Sequence, residues 1–173
     1  NNENIEKFHK NGYVILKNVF NNEELLHFEQ SLLSLIKITL KKASEKYDHI
    51  NLNELDGNEF DDGIIKLEEI DTDYIADIYD TIPNMPSFMR LTGKHEISKF
   101  VNMIFKKNQH HPLYTFTNRC RIDPPRNTRR SVDWHQEIFY TIPQSEFVQT
   151  WGPLVNDIKK DEAQYKGSYH LFS

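Results

Sequence analysis

An α+β fold is what the amino-acid sequence predicts, with helices in the first part of the chain buttressing an antiparallel sheet built from the second. Three observations predict it. Apolar residues recur at helical spacing as far as about residue 108. Past Pro112 they alternate instead, among β-branched and aromatic side chains that favour strands. The third is the run Val132-Asp133-Trp134-His135-Gln136-Glu137-Ile138-Phe139-Tyr140, which sets a histidine and a carboxylate two residues apart in strand-forming company. The length of 173 residues predicts one domain over 1–173, mainly helical at 1–108 and strand-rich at 109–173.

Ile5 to Asn11 reads as a short amphipathic helix with Ile5, Phe8 and His9 on one side, and Gly12 suits its stop. Tyr13-Val14-Ile15-Leu16 is an apolar run expected to form a buried strand. A long helix opens near Asn21 or Asn22, either of which can cap it, with Glu23 and Glu24 in its first turn. Leu25, Phe28, Leu32, Leu35 and Ile36 keep helical spacing, and the helix is expected to end near Tyr47. Asn51 to Gly63 is polar and acidic. A calcium loop measured back from Gly63 would need an oxygen ligand at residue 60, which is Phe, so the stretch reads as a solvated loop.

Ile64 to Ile82 predicts a helix with Ile65, Leu67, Ile70, Tyr74, Ile75, Ile78 and Tyr79 on a broad apolar face. Pro83 and Pro86 end it, and Ser87–Leu91 and His95–Phe105 follow as shorter helices. Strands are expected at Leu113–Thr117, Arg119–Ile122, Val132–Thr141 and Phe147–Val155. Turns at Pro124-Pro125-Arg126-Asn127 and Pro143-Gln144-Ser145 separate them.

Composition narrows the class of function. Aromatic residues make up 12% of the chain and hydrophobic residues 38%, enough for a folded core. A formal net charge of −5 argues against a nucleic-acid binder, which is normally basic. Cys120 is the only cysteine, so no internal disulfide can form and a reducing, cytoplasmic setting is expected. No apolar run approaches the roughly 20 residues of a membrane span, and the first residues lack signal-peptide character, so no membrane partner is expected.

In an extended chain, residues i and i+2 project from one face, so His135 and Glu137 would point together. One imidazole and one carboxylate on one face are two thirds of the facial triad that holds non-haem Fe(II). Arg119, Arg121, Arg126, Arg129 and Arg130 gather five positive charges just ahead of this run. They suit a dicarboxylate or another anionic ligand, or else belong to a solvated loop. His110-His111 is expected to be structural or exposed, because adjacent strand residues face opposite ways.

Three stretches together resemble the phytanoyl-CoA dioxygenase family of Fe(II)- and 2-oxoglutarate-dependent oxygenases. Phe8-His9-Lys10-Asn11-Gly12-Tyr13-Val14-Ile15-Leu16 with Phe20-Asn21-Asn22-Glu23-Glu24-Leu25 is similar to the family's opening helix, strand and second helix start. Arg121-Ile122-Asp123-Pro124-Pro125 leading to Trp134-His135-Gln136-Glu137 is similar to its metal motif. Thr150-Trp151-Gly152-Pro153-Leu154 resembles its W-x-P-L strand. The match covers roughly residues 5–28 and 113–155, in the family's order.

The resemblance implies a jelly-roll-like double-stranded β-helix with the metal at one mouth. It makes His135 and Glu137 iron ligands, places Gln136 next to the metal and sets Trp151 beside the 2-oxoglutarate pocket. Read from the residues alone, Gln136 faces outward from its strand and Trp151 is equally a core aromatic. The retained carboxylate of Glu137 implies hydroxylation of a small organic substrate, since halogenating relatives lack it.

The family continues to a distal histidine and a cosubstrate arginine, whereas here 36 residues follow Glu137 and no arginine follows Arg130. Lys166-Gly167-Ser168-Tyr169-His170 is similar to the family's P-G-S-H segment, which in the family precedes the distal ligand and does not supply it; His170 is the candidate third ligand because it is the only histidine after His135. Arg121 or Arg119, projecting into the pocket from an upstream strand, would take the place of the missing arginine. The expected barrel is therefore incomplete at its C-terminal end, binds Fe(II) weakly and presents an open sheet edge that would favour self-association. Two other readings share these residues: a non-catalytic β-helix binding domain, and a cupin-type metal-dependent hydrolase or isomerase.

Overall fold

The longest element is a helix because of where its apolar residues fall. From Asn22 to Lys46, Phe28, Leu32, Ile36, Leu40 and Ala43 follow one another at intervals of three or four and are all fully buried. The computed structural model of the chain describes residues 2–48, 50–115, 118–122 and 146–154. Six α-helices lie within them: α1 (Asn2–Asn11), α2 (Asn22–Lys46), α3 (Ile64–Ile70), α4 (Thr72–Thr81), α5 (Pro86–Thr92) and α6 (His95–Ile104). Two compact units contain these helices. One comprises residues 2–21, 93–115 and 146–154; the other comprises 22–92 and 118–122.

In the second unit α2 is the central rod, touching α3, α4 and α5. Ile64 and Leu67 of α3, Tyr74, Ile75 and Ile78 of α4, then Ile82, Met85, Phe88 and Leu91 close around its buried stripe. Burying a side chain of this size is worth about 1.5–3 kcal/mol, so this stripe is the main source of the unit's stability. Gly63 lets α2 come close. A Cβ there would lie 2.8 Å from Leu40 Cδ1.

Asn51 to Gly63 is largely exposed, as expected of it, but is a chain of tight turns and not an irregular loop. A 3-10 turn at Leu52–Leu55 is capped by Asn51, whose side-chain oxygen accepts from the Asn53 N–H while its amide donates to Glu54 at 2.9 Å. A π turn at Glu59–Gly63 then runs straight into α3. The Asn58 carbonyl accepts from the amides of Asp61, Asp62 and Gly63 in succession. Lys37 of α2 holds the turn through Glu59 at 2.9 Å.

The helix expected over Ile64–Ile82 is broken at Asp71, which sits in an extended conformation and caps α4 through the Asp73 N–H at 3.0 Å. A short acidic side chain that can bond its own backbone competes with the helix, and here it wins. Pro83 falls in a 3-10 turn at Ile82–Asn84 and Pro86 opens α5, both positions where a missing N–H costs nothing.

In the first unit, α1 and α6 pack together, with Phe8 and Ile104 buried. His9, expected on the apolar side of α1, is exposed. Gly12 ends α1 at φ +77°, its N–H returning to the Phe8 carbonyl at 2.8 Å. The end of α6 is a Schellman turn: the Lys107 N–H bonds the Asn102 carbonyl and the Lys106 N–H bonds that of Met103. Buried Asn102 then ties down the segment that follows, its amide nitrogen donating to the carbonyls of Gln109 at 3.2 Å and His111 at 3.0 Å.

The expected fold class, a helical half packed on an antiparallel double-stranded β-helix, is corrected by these observations. Helices, with the 3-10 and π turns counted among them, account for 64% of the described residues, and no strand, sheet or barrel occurs there. Tyr13–Leu16, Leu113–Thr115, Arg119–Ile122 and Phe147–Leu154 were all expected as strands and form none. The alternating pattern itself is real. Tyr13 and Ile15 are exposed while Val14 and Leu16 are half-buried. Alternation fixes which way side chains face, but a strand also needs a neighbouring backbone. At Ile122 the partner is a side chain, that of Tyr79. The expected strand at Val132–Thr141 lies outside the described residues. Among those residues no helix is long and apolar enough to cross a membrane.

Candidate functional site

Tyr79 lies late in α4, within the apolar stripe, and a half-buried phenol needs a partner for its hydroxyl. It finds two on one residue. The hydroxyl donates to the Ile122 carbonyl at 2.5 Å and accepts from the Ile122 N–H at 2.6 Å. One oxygen can meet both groups only where the residue is extended, since an extended residue presents N–H and C=O to the same edge. Tyr79 thus replaces a partner strand along one residue's length.

Exposure along this segment alternates as an extended chain requires. Asn118, Cys120 and Ile122 are partly covered, while Arg119 and Arg121 are exposed. Residues two apart on an extended chain share a face with about 6.5–7 Å between them. Arg119 and Arg121 are therefore a cationic pair on the outer face of a segment that Tyr79 fastens to α4. The other arginines of the basic stretch, Arg126, Arg129 and Arg130, lie outside the described residues.

Of the residues expected to form the site, two are described. Arg121 is exposed, in the position just given. Trp151 is 56% exposed. His135, Gln136, Glu137 and His170, the expected metal set and its neighbour, lie outside the described residues. Among the described residues no group of three or more His, Cys, Asp or Glu side chains could hold a metal ion. His110 and His111 are both exposed, in keeping with their sequence reading.

Two open grooves of about 410 Å3 each occur elsewhere. One, in the first unit, is lined by Leu16, Lys17, Asn18, Lys94, Glu96 and Phe100, with Lys94 Nζ also 5.7 Å from the centre of the Phe20 ring. The other, in the second unit, is lined by Leu35, Ile38, Lys42, Asp77, Asp80 and Asn84, with Lys42 and Asp77 paired at 3.6 Å. Neither groove contains a residue that the sequence singled out for chemistry.

The sequence places Tyr79 on an apolar helix face and does not mark its contact with Ile122; the available signal is its hydroxyl. No family model matches the chain, and neither a curated protein nor a solved structure matches it.

Proposed function

We propose that the chain is an Fe(II)- and 2-oxoglutarate-dependent oxygenase, or a partial form of one, acting on a small organic substrate. The observation that carries this reading is the Trp134-His135-Gln136-Glu137 motif, with Arg121-Ile122-Asp123-Pro124-Pro125 before it and Thr150-Trp151-Gly152-Pro153-Leu154 after it. The donor set fits the metal: an imidazole, a carboxylate and, with His170, a second imidazole are the ligands that suit ferrous iron with open positions. The chemistry the iron supplies when bound is oxygen activation coupled to decarboxylation of 2-oxoglutarate. His135 and Glu137 bind and need not titrate. Arg121, exposed on its segment, is the guanidinium assigned to a cosubstrate carboxylate through a charge-assisted contact. Exposed Trp151 offers an indole face and one N–H donor, and Gln136 an amide, for orienting what binds.

The test is calorimetric titration with Fe(II), then 2-oxoglutarate, without oxygen, on the wild-type chain and on His135→Ala and Glu137→Ala. Iron binding that both substitutions abolish supports the reading. Iron binding that neither changes removes it. Oxygen uptake coupled to succinate release would then separate an oxygenase from a binding domain or a hydrolase.

A further inference from the structure

We infer that Tyr79 is a positioning residue for an anion-binding edge made by Arg119 and Arg121, and that the anion it serves is a dicarboxylate. The inference rests on the 2-oxoglutarate reading above for the identity of the ligand. It rests on the structure alone for the placement of Arg119 and Arg121 on one exposed face of the segment.

The Tyr79 hydroxyl takes both backbone polar groups of Ile122, so it fixes the position of that residue and also the rotation of the segment about its own axis. With the Ile122 N–H and C=O turned toward α4, Ile122 and Cys120 point to one face and Arg119 and Arg121 to the other. The exposure pattern agrees at every residue from 118 to 122. A rotation of half a turn, which removal of the hydroxyl would permit, would exchange these faces and bring the thiol out in place of the arginines.

Two arginines two residues apart on one exposed face suit a ligand with several carboxylate oxygens, because each guanidinium presents a planar fork of donors. A lone lysine would attract an anion without fixing its direction. Fastening the segment to a helix of the core also lowers the cost of binding, since side chains on a free segment would have to be ordered by the ligand itself. Tyr79 does not touch the ligand. It acts through the arginines.

The experiment uses the whole chain and reads two quantities. Cys120 is the only cysteine, partly covered and on the inner face of the segment, so its alkylation rate reports docking directly. The affinity for 2-oxoglutarate, measured anaerobically with Fe(II), reports the edge. Tyr79→Phe is expected to keep its helical signal, to react several-fold faster at Cys120, and to bind 2-oxoglutarate about tenfold more weakly. Arg121→Gln is expected to show the same loss of affinity with Cys120 as slow as in the wild type. That split separates positioning from contact.

A folded Tyr79→Phe with unchanged thiol reactivity overturns the inference. So does faster alkylation with 2-oxoglutarate affinity intact. Failure of the wild-type chain to bind Fe(II) is a different result: it removes the oxygenase reading, and the edge then stands or falls on whether 2-oxoglutarate alone binds and is weakened in Tyr79→Phe. Should Tyr79→Phe not fold, hydrogen exchange at the Ile122 amide of the wild-type chain decides. Slow exchange is expected, and exchange at the rate of an open peptide overturns the inference.

Discussion

Phe28 of α2 and Phe88 of α5 lie with ring centroids 5.7 Å apart and planes tilted by 41°, joining the two helices at the centre of the second unit. Both side chains are buried, Phe28 completely. Phe28→Ala is expected to cost about 3–5 kcal/mol, since it removes a fully enclosed ring and leaves a cavity between two helices that cannot close. Urea unfolding followed by circular dichroism measures this. A loss below about 1 kcal/mol would show that the ring is not part of a rigid core.

Lys106 occupies the left-handed position that ends α6, at φ +53°, where a side chain carries strain that glycine does not. Lys106→Gly is therefore expected to be neutral or to raise stability by up to about 1 kcal/mol, unlike glycine inside a helix. The measurement is the thermal midpoint. A clear fall would mean that the lysine side chain makes a contact worth more than the strain.

Asn102 is buried and its amide nitrogen serves two carbonyls of the segment after α6. Asn102→Ala would leave both carbonyls without that donor, at a cost of about 1–3 kcal/mol. Amide exchange should accelerate over residues 107–111 before it does in α2. Uniform acceleration throughout the chain would contradict this local role.

The carboxyl of Glu59 is held below its ordinary value of 4.5, first by its bond to the Lys37 ammonium and then by backbone N–H groups of its own turn. A carboxyl with a lowered folded value contributes stability that is complete above its unfolded value and disappears as pH falls through the folded one. Glu59→Gln should therefore be less stable than the wild type near neutral pH, with the gap closing below about pH 4.5. Urea midpoints across that range test it. A gap that widens in acid would show that the sign is wrong.

Much of the helical part was legible in the sequence, because a buried stripe leaves a periodic trace. Phe28, Leu32 and Ile36 marked α2, and Asn21 with Gly12 bounded its surroundings. The break at Asp71 was not legible, since the apolar pattern continues through it from Ile70 to Tyr74 while the carboxylate that stops the helix acts only locally. The strand expectations that fall on the described residues failed for a related reason. Tyr13 to Leu16 has a strand's alternation and its half-exposed face, but sequence pattern says nothing of whether another backbone lies alongside. At the candidate site, His135 and Glu137 could be singled out because ligand chemistry restricts residue type. Tyr79 could not, because one hydroxyl among the aromatic side chains of an apolar face is an ambiguous mark.

The π turn at Glu59–Gly63, continuous with α3, is in effect one residue more than a regular helix would hold. Deleting a single residue from Asp61-Asp62 would let the ladder close in ordinary register, and about 100° of phase would be lost between Lys37's partner and the start of α3. Glu59 would swing off Lys37, or Ile64 and Leu67 would leave α2. A shortened chain could form a more regular helix and still unfold more readily. Length at this point is thus a constraint of its own, and deletion scanning should meet sharp intolerance at Asp61-Asp62 although both side chains are exposed.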